Sequence, residues 1–164
     1  MKKMKRSLSL ILAVLMLACL LCACGDKAAE EKNVPAADIA AAVADKLGKA
    51  DALTTVDGNW LKGWMKTEAE AFGDYAVCIN AVGANVDEFG VFKAGENMST
   101  ADIEKTVQAY LDLRLLSWMD EYMPGEKYKV EDASYEVVGN YVMYCILSAE
   151  DTETAFATFK ELLG

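Results

Sequence analysis

Residues Tyr141–Leu147 read Tyr-Val-Met-Tyr-Cys-Ile-Leu, apolar at every position. A run this short suits a strand better than a helix. Successive strand side chains point to opposite faces, so this strand needs cover on both sides. That requirement shapes every other assignment in the chain.

The run is preceded by Gly139-Asn140, a tight hairpin signal, and by a third strand over Tyr128–Val138. Earlier in the chain, β-branched and aromatic content marks a strand over Tyr75–Val82. Val82-Gly83-Ala84-Asn85 then turns the chain into a second strand, Val86–Lys93. Ser99-Thr100-Ala101-Asp102 has the layout of a helix start, with hydroxyls to cap and an acid for the positive end of the dipole. The helix is expected to run to Met123, about 33 Å, until Pro124-Gly125 stops it. Ser148 to Asp151 repeats that start, and Ala155, Phe156, Phe159, Leu162 and Leu163 stripe the last helix. Ahead of all this, Ile39, Val43 and Leu47 recur at i+4 after Pro35 and before Gly48, the pattern of a short amphipathic helix. The expected fold class is α+β: an N-terminal helix, then two ββα units forming a four-stranded antiparallel sheet packed with helices.

Trp60, Leu61, Trp64 and Met65 fall on one helical face in the stretch between the first helix and the first strand. Large apolar residues at helical spacing usually cover a core. The two tryptophans would also suit a membrane interface.

The N-terminus has a different character. Lys2, Lys3, Lys5 and Arg6 precede a 14-residue uncharged run, Leu8–Leu21. That is shorter than the roughly 20 apolar residues a spanning helix needs, and it has the layout of a cleavable export signal. Leu21-Cys22-Ala23-Cys24 resembles the lipobox of bacterial lipoproteins. The resemblance implies a diacylglycerol on the Cys24 sulfur, cleavage after Ala23, and acyl chains as the only covalent group. Two chains make an anchor durable where one does not. Gly25–Asn33 is small, charged and without apolar periodicity. The expected organisation is a signal at 1–23, a flexible tether at 24–35 and one α+β domain at 36–164.

Cleavage would leave 141 residues carrying 12 basic and 26 acidic side chains, a net charge of −14. Such a surface does not suit nucleic acid, whose phosphates call for a basic footprint. It is equally unsuited to adhesion on anionic lipid, so the membrane contact falls to the lipid on Cys24. Histidine is absent, which removes the commonest general base and transition-metal ligand. No CxxC, HExxH or Asp-x-Asp-x-Asp-Gly spacing is present, so no metal site is expected.

The remaining chemistry-bearing residues are few. Asp87 and Glu88 are adjacent in a strand and so face opposite ways; Glu68 and Glu70, if helical, point about 200° apart. All four are expected on the solvated surface. Cys78 and Cys145 each sit in a strand and have two readings, a disulfide if their Cα atoms lie within about 7 Å, or buried thiols. Without histidine there is no partner for a thiol nucleophile. Arg114 lies four residues from both Tyr110 and Trp118, within stacking reach. Its planar fork suits a ligand carboxylate or phosphate, and a structural ion pair is the alternative. The second half of the long helix carries Leu113, Leu116, Met119, Tyr122 and Met123, more apolar surface than one face can bury. Left exposed, it would mark a partner site.

From about Ala36 onward the chain resembles a family of small bacterial lipoproteins described only as a domain of unknown function. The resemblance rests on Asn85–Lys93, on the following helix with Arg114, on Tyr122-Met123-Pro124, and on Gly139-Asn140-Tyr141-Val142. It carries over no enzymatic residues, since none are established for that family; the lipobox, the missing catalytic groups and the surplus apolar surface carry the functional expectation. The expectation is therefore a lipid-anchored extracytoplasmic protein at the cell membrane, not an enzyme, acting as an accessory module for an unidentified protein partner. The alternative is binding of a small solute or cation.

Overall fold

In the computed structural model, residues 32–82, 84–119 and 121–164 are described. The segment carrying Cys24 lies outside them, as does Gly83 in the expected turn. The described chain forms five helices and one antiparallel sheet: α1 (Ala36–Lys46), β1 (Leu53–Thr55), α2 (Gly58–Trp64), β2 (Asp74–Asn80), β3 (Glu88–Lys93), α3 (Thr100–Leu116), α4 (Lys127–Glu131), β4 (Ser134–Val138), β5 (Tyr141–Ile146) and α5 (Ala149–Leu163). The sheet order is β1-β2-β3-β5-β4.

Every position of β5 is buried, as its two-faced apolar sequence requires. One face meets α1 and α5 through Ala76, Cys78, Phe89, Val91, Met143 and Cys145. The other face meets α2 and α3 through Val77, Phe92, Val142, Tyr144 and Ile146. The domain is thus a helix–sheet–helix sandwich of the α+β class. Ser99 and Ser148 cap α3 and α5, each accepting from the backbone N–H of the aspartate three residues on. The β4–β5 hairpin turns through Gly139 at φ +57, the positive angle that a Gly-X loop supplies.

Three expectations need correction. The sheet has five strands, not four, because Leu53–Thr55 adds an edge to β2. Three residues are too few to show an alternating pattern. The third strand begins at Ser134, and residues Lys127–Glu131 form a helical turn instead. Tyr128 and Val130 alternate like a strand, but a helical turn brings Glu126 and Lys129 together as an i,i+3 pair at 2.7 Å. Finally, α3 ends at Leu116, well short of Met123. A straight continuation would carry its large side chains past the end of the sheet. Breaking at Ser117 lets Trp118 and Met123 fold back onto the second core.

Cys78 and Cys145 are both buried free thiols. Cys78 pairs across from Phe89, and Phe89 from Cys145, so two interstrand spacings separate them. At about 4.8 Å each, that exceeds the reach of a disulfide. In a chain lacking residues 1–24, a bulky disulfide reagent should modify neither thiol before unfolding. Rapid native modification of either would contradict this packing.

Candidate functional site

Asp57 starts α2 by accepting the backbone N–H groups of Asn59 and Trp60 at 3.1 and 3.2 Å. From that start Leu61 and Met65 enter the core, which turns Trp60 and Trp64 toward α3. Trp60 meets Tyr110 edge-on, with ring centroids 5.5 Å apart, and lies 6.5 Å from Trp64. On α3, Ile103, Val107 and Tyr110 point at the sheet, and Arg114 follows one turn later on the same side. Its guanidinium lies 5.6 Å over the Trp64 ring, and one terminal nitrogen is 3.4 Å from a Glu88 oxygen.

Glu88, at the start of β3, is only 3% exposed. It accepts hydrogen bonds from the Tyr110 hydroxyl and, at 2.7 Å, from the Tyr144 hydroxyl. Burial pushes its carboxyl above the usual range, outweighing the Arg114 charge and the two phenol donors. Burial and the adjacent carboxylate in turn raise both phenols. Gly90 makes this arrangement possible. A Cβ there would overlap the Tyr144 ring and crowd Val77 and Phe92 at 3.0 and 3.1 Å.

Asp87 faces the other way, as strand alternation requires. It binds Lys129 at 2.8 Å and also Lys49 and Asn85, while Lys49 reaches Asp151 at 3.0 Å and Lys129 reaches Glu126. Burial alone would raise its carboxyl; the hydrogen bonds from Lys129, Lys49 and Asn85 hold it below the usual range. The network ties the turn after α1, together with α4 and α5, to the start of β3. Asp87 and Glu88 are therefore buried and paired rather than solvated, which corrects the expected surface placement. Glu68 and Glu70 do lie on the surface, Glu68 paired with Lys62 at 2.6 Å.

Between α2, the start of β3 and the end of α3 lies a cleft with two lobes of about 320 and 250 Å³. Trp64, Val86, Arg114 and Met123 line both. Asn80, Asn85, Asp87 and Glu88 make one lobe polar; Trp118, Met119 and Tyr122 make the other apolar. All three tryptophans of the chain, and its only arginine besides Arg6, thus meet at one place. Two donors there, Arg114 Nε and Trp118 Nε1, are buried with no acceptor among the described residues.

Arg114 makes its cation–π contact with Trp64 rather than with Tyr110 or Trp118. Of the expected partner surface, Leu116, Met119 and Tyr122 are 85, 64 and 72% exposed, whereas Leu113 and Met123 are half-buried. Leu115, which the helical period after Ile103, Val107 and Leu111 puts in the core stripe, is instead 43% exposed beside them. α1 packs on the opposite face of the sheet and leaves the patch open. Sequence reasoning missed Glu88 and Lys129. Strand alternation assigned Glu88 a face but could not show that α2 and α3 cover it: β4 also pairs with β5 and is only partly buried.

Fold and cleft together define a three-layer α+β domain that presents one tryptophan-walled, arginine-centred pocket at the end of its sheet. Residues 46–147 match the model of a family described as a domain of unknown function (DUF4358), and the chain belongs to that family. The matched stretch runs from the end of α1 to just past β5 and includes every cleft residue named above. No curated protein and no solved structure matches the chain.

Proposed function

We propose that this chain is a lipid-anchored extracytoplasmic binding protein, a non-enzymatic accessory module whose working surface is the Arg114 cleft with the apolar patch beside it. The observation that carries this reading is continuity: Met119 and Tyr122 belong both to the wall of the cleft and to the exposed patch that includes Leu116. Tryptophan and arginine set in an apolar surround are the residue types on which binding energy concentrates. A site of this size and lining also favours a small ligand, and the two uses are compatible.

The chain enters the domain at Val34–Ala36, held by the Tyr141 hydroxyl at 2.7 Å and the Asp74 carboxylate at 2.8 Å. That is the end of the sheet opposite the cleft. The six residues of β3 put about 17 Å between the two ends. Cys78 and Cys145 support the non-enzymatic reading: both lie on the far face of the sheet, with thiols pushed up by burial.

Cys24→Ser should abolish lipid attachment, leaving a precursor or a soluble product. A processed Cys24→Ser protein that partitions with membranes like the wild type would sink the anchoring claim. Crosslinking of the native protein in mild detergent should place any stoichiometric partner against residues 113–123.

A further inference from the structure

We propose that the cleft binds an organic carboxylate with an apolar body, the carboxylate on Arg114 and the body in the lobe of Trp118, Met119 and Tyr122. The inference rests on the binding reading above and adds the chemistry of the ligand. Four observations carry it.

The first is a surplus of donors. Arg114 offers five N–H groups in a planar fork, and its one acceptor among the described residues is a Glu88 oxygen at 3.4 Å, longer than a charge-assisted bond. Glu88 meanwhile takes both tyrosine hydroxyls on its other oxygen. Arg114 Nε and Trp118 Nε1 are buried donors without acceptors, and both residues line the apolar lobe. Neither atom is open to solvent, so a ligand's oxygen lone pairs would meet the remaining N–H groups of the guanidinium, whose one acceptor among the described residues is that long Glu88 contact. The second is accessibility: the Arg114 side chain keeps 21% of its surface exposed while lining both lobes. The third is preorganisation. The Trp64 ring lies 5.6 Å from the guanidinium carbon, a cation–π contact that favours one placement of the charge, and a carboxylate is the planar partner that a guanidinium fits bidentately. The fourth is the wall. Met119 and Met123 are pliable and Trp118 and Tyr122 are flat, a lining that accommodates an apolar body by shape without requiring polar contacts. Among the described residues no lysine joins this lining, so a highly charged anion such as free phosphate would find a single cation here.

The test uses the full chain in mild detergent, with intrinsic fluorescence as the first readout because all three tryptophans line the cleft. The probes are 4-phenylbutyrate, its uncharged amide 4-phenylbutyramide, and inorganic phosphate, with affinities from isothermal calorimetry. The acid should bind at least about tenfold more tightly than the amide, the effect of one charge-assisted bidentate contact. Arg114→Gln should erase that preference and leave acid and amide alike. Should Arg114→Gln fail to fold, Tyr122→Ala, at an exposed position, still decides: it should weaken acid and amide together while preserving the preference of the acid. Equal affinity for acid and amide, preference for phosphate, or no binding of the acid would each overturn the proposal. Crosslinks to a partner at residues 113–123 without acid binding would leave the binding face standing and remove only the ligand class. Absence of both would remove both.

Discussion

Asp87→Ala should cost about 3 kcal/mol of folding stability, the low end for breaking a buried ion pair, and lower the melting temperature by roughly 10 °C. The side chain is only 2% exposed and holds lysines from two different segments. Its removal leaves Lys129, itself buried, with Glu126 alone, and Lys49 with Asp151. Those residual partners keep the cost from being larger. The effect also has a defined pH dependence. The folded Asp87 carboxyl lies below its unfolded value, so its contribution is present above about pH 4 and is lost as pH falls through the folded value. Lys49 and Lys129 are raised in the fold: burial opposes their charge, and the carboxylate hydrogen bonds outweigh it. Their contribution is lost only on the alkaline side. The difference between wild type and variant should therefore be flat through neutral pH and shrink below about pH 4. Glu88 has the opposite sign, since a raised carboxyl is a cost when ionised that protonation relieves. Chemical denaturation of both proteins across that range checks the argument. A gap that stays constant down to pH 3 would mean that the Asp87 charge is not what stabilises.

Gly90→Ala should destabilise by about 1–3 kcal/mol, the usual cost of overpacking. More tellingly, it should disturb the cleft from inside. The added methyl overlaps Tyr144, whose hydroxyl supports Glu88, whose other oxygen faces Arg114. Near-ultraviolet circular dichroism, which reports on packed aromatic rings, should change while far-ultraviolet spectra persist. A variant with wild-type stability and aromatic spectra would show that the Tyr144 ring has room the packing denies it.

Much of the architecture was legible in local pattern. The two-faced apolar run at Tyr141–Leu147 demanded helices on both sides of a sheet, and the structure places α1 and α5 on one face, α2 and α3 on the other. The serine caps at Ser99 and Ser148 and the Gly139 turn followed from residue type and spacing, because capping and positive φ are local physics. The errors lay where long-range burial overrides local preference. Lys127–Glu131 alternates like a strand yet coils, since a helical turn delivers Lys129 to Asp87, 42 residues earlier. The long helix stops at Leu116 because Trp118 and Met123 gain more by folding back on the core than by prolonging its axis.

The site divides in the same way. Arg114 and the surplus apolar residues after it stand out from composition and helical period, which are properties of a short stretch. Their meeting with Trp60 and Trp64 is not local. It depends on α2 docking beside α3 over one face of the sheet, a contact between segments about 50 residues apart. Nor does any neighbour of Glu88 in the sequence reveal that two tyrosines and the lone arginine of the domain surround it. Alternation assigns a side chain to a face; what lies across that face is settled by which helix packs there.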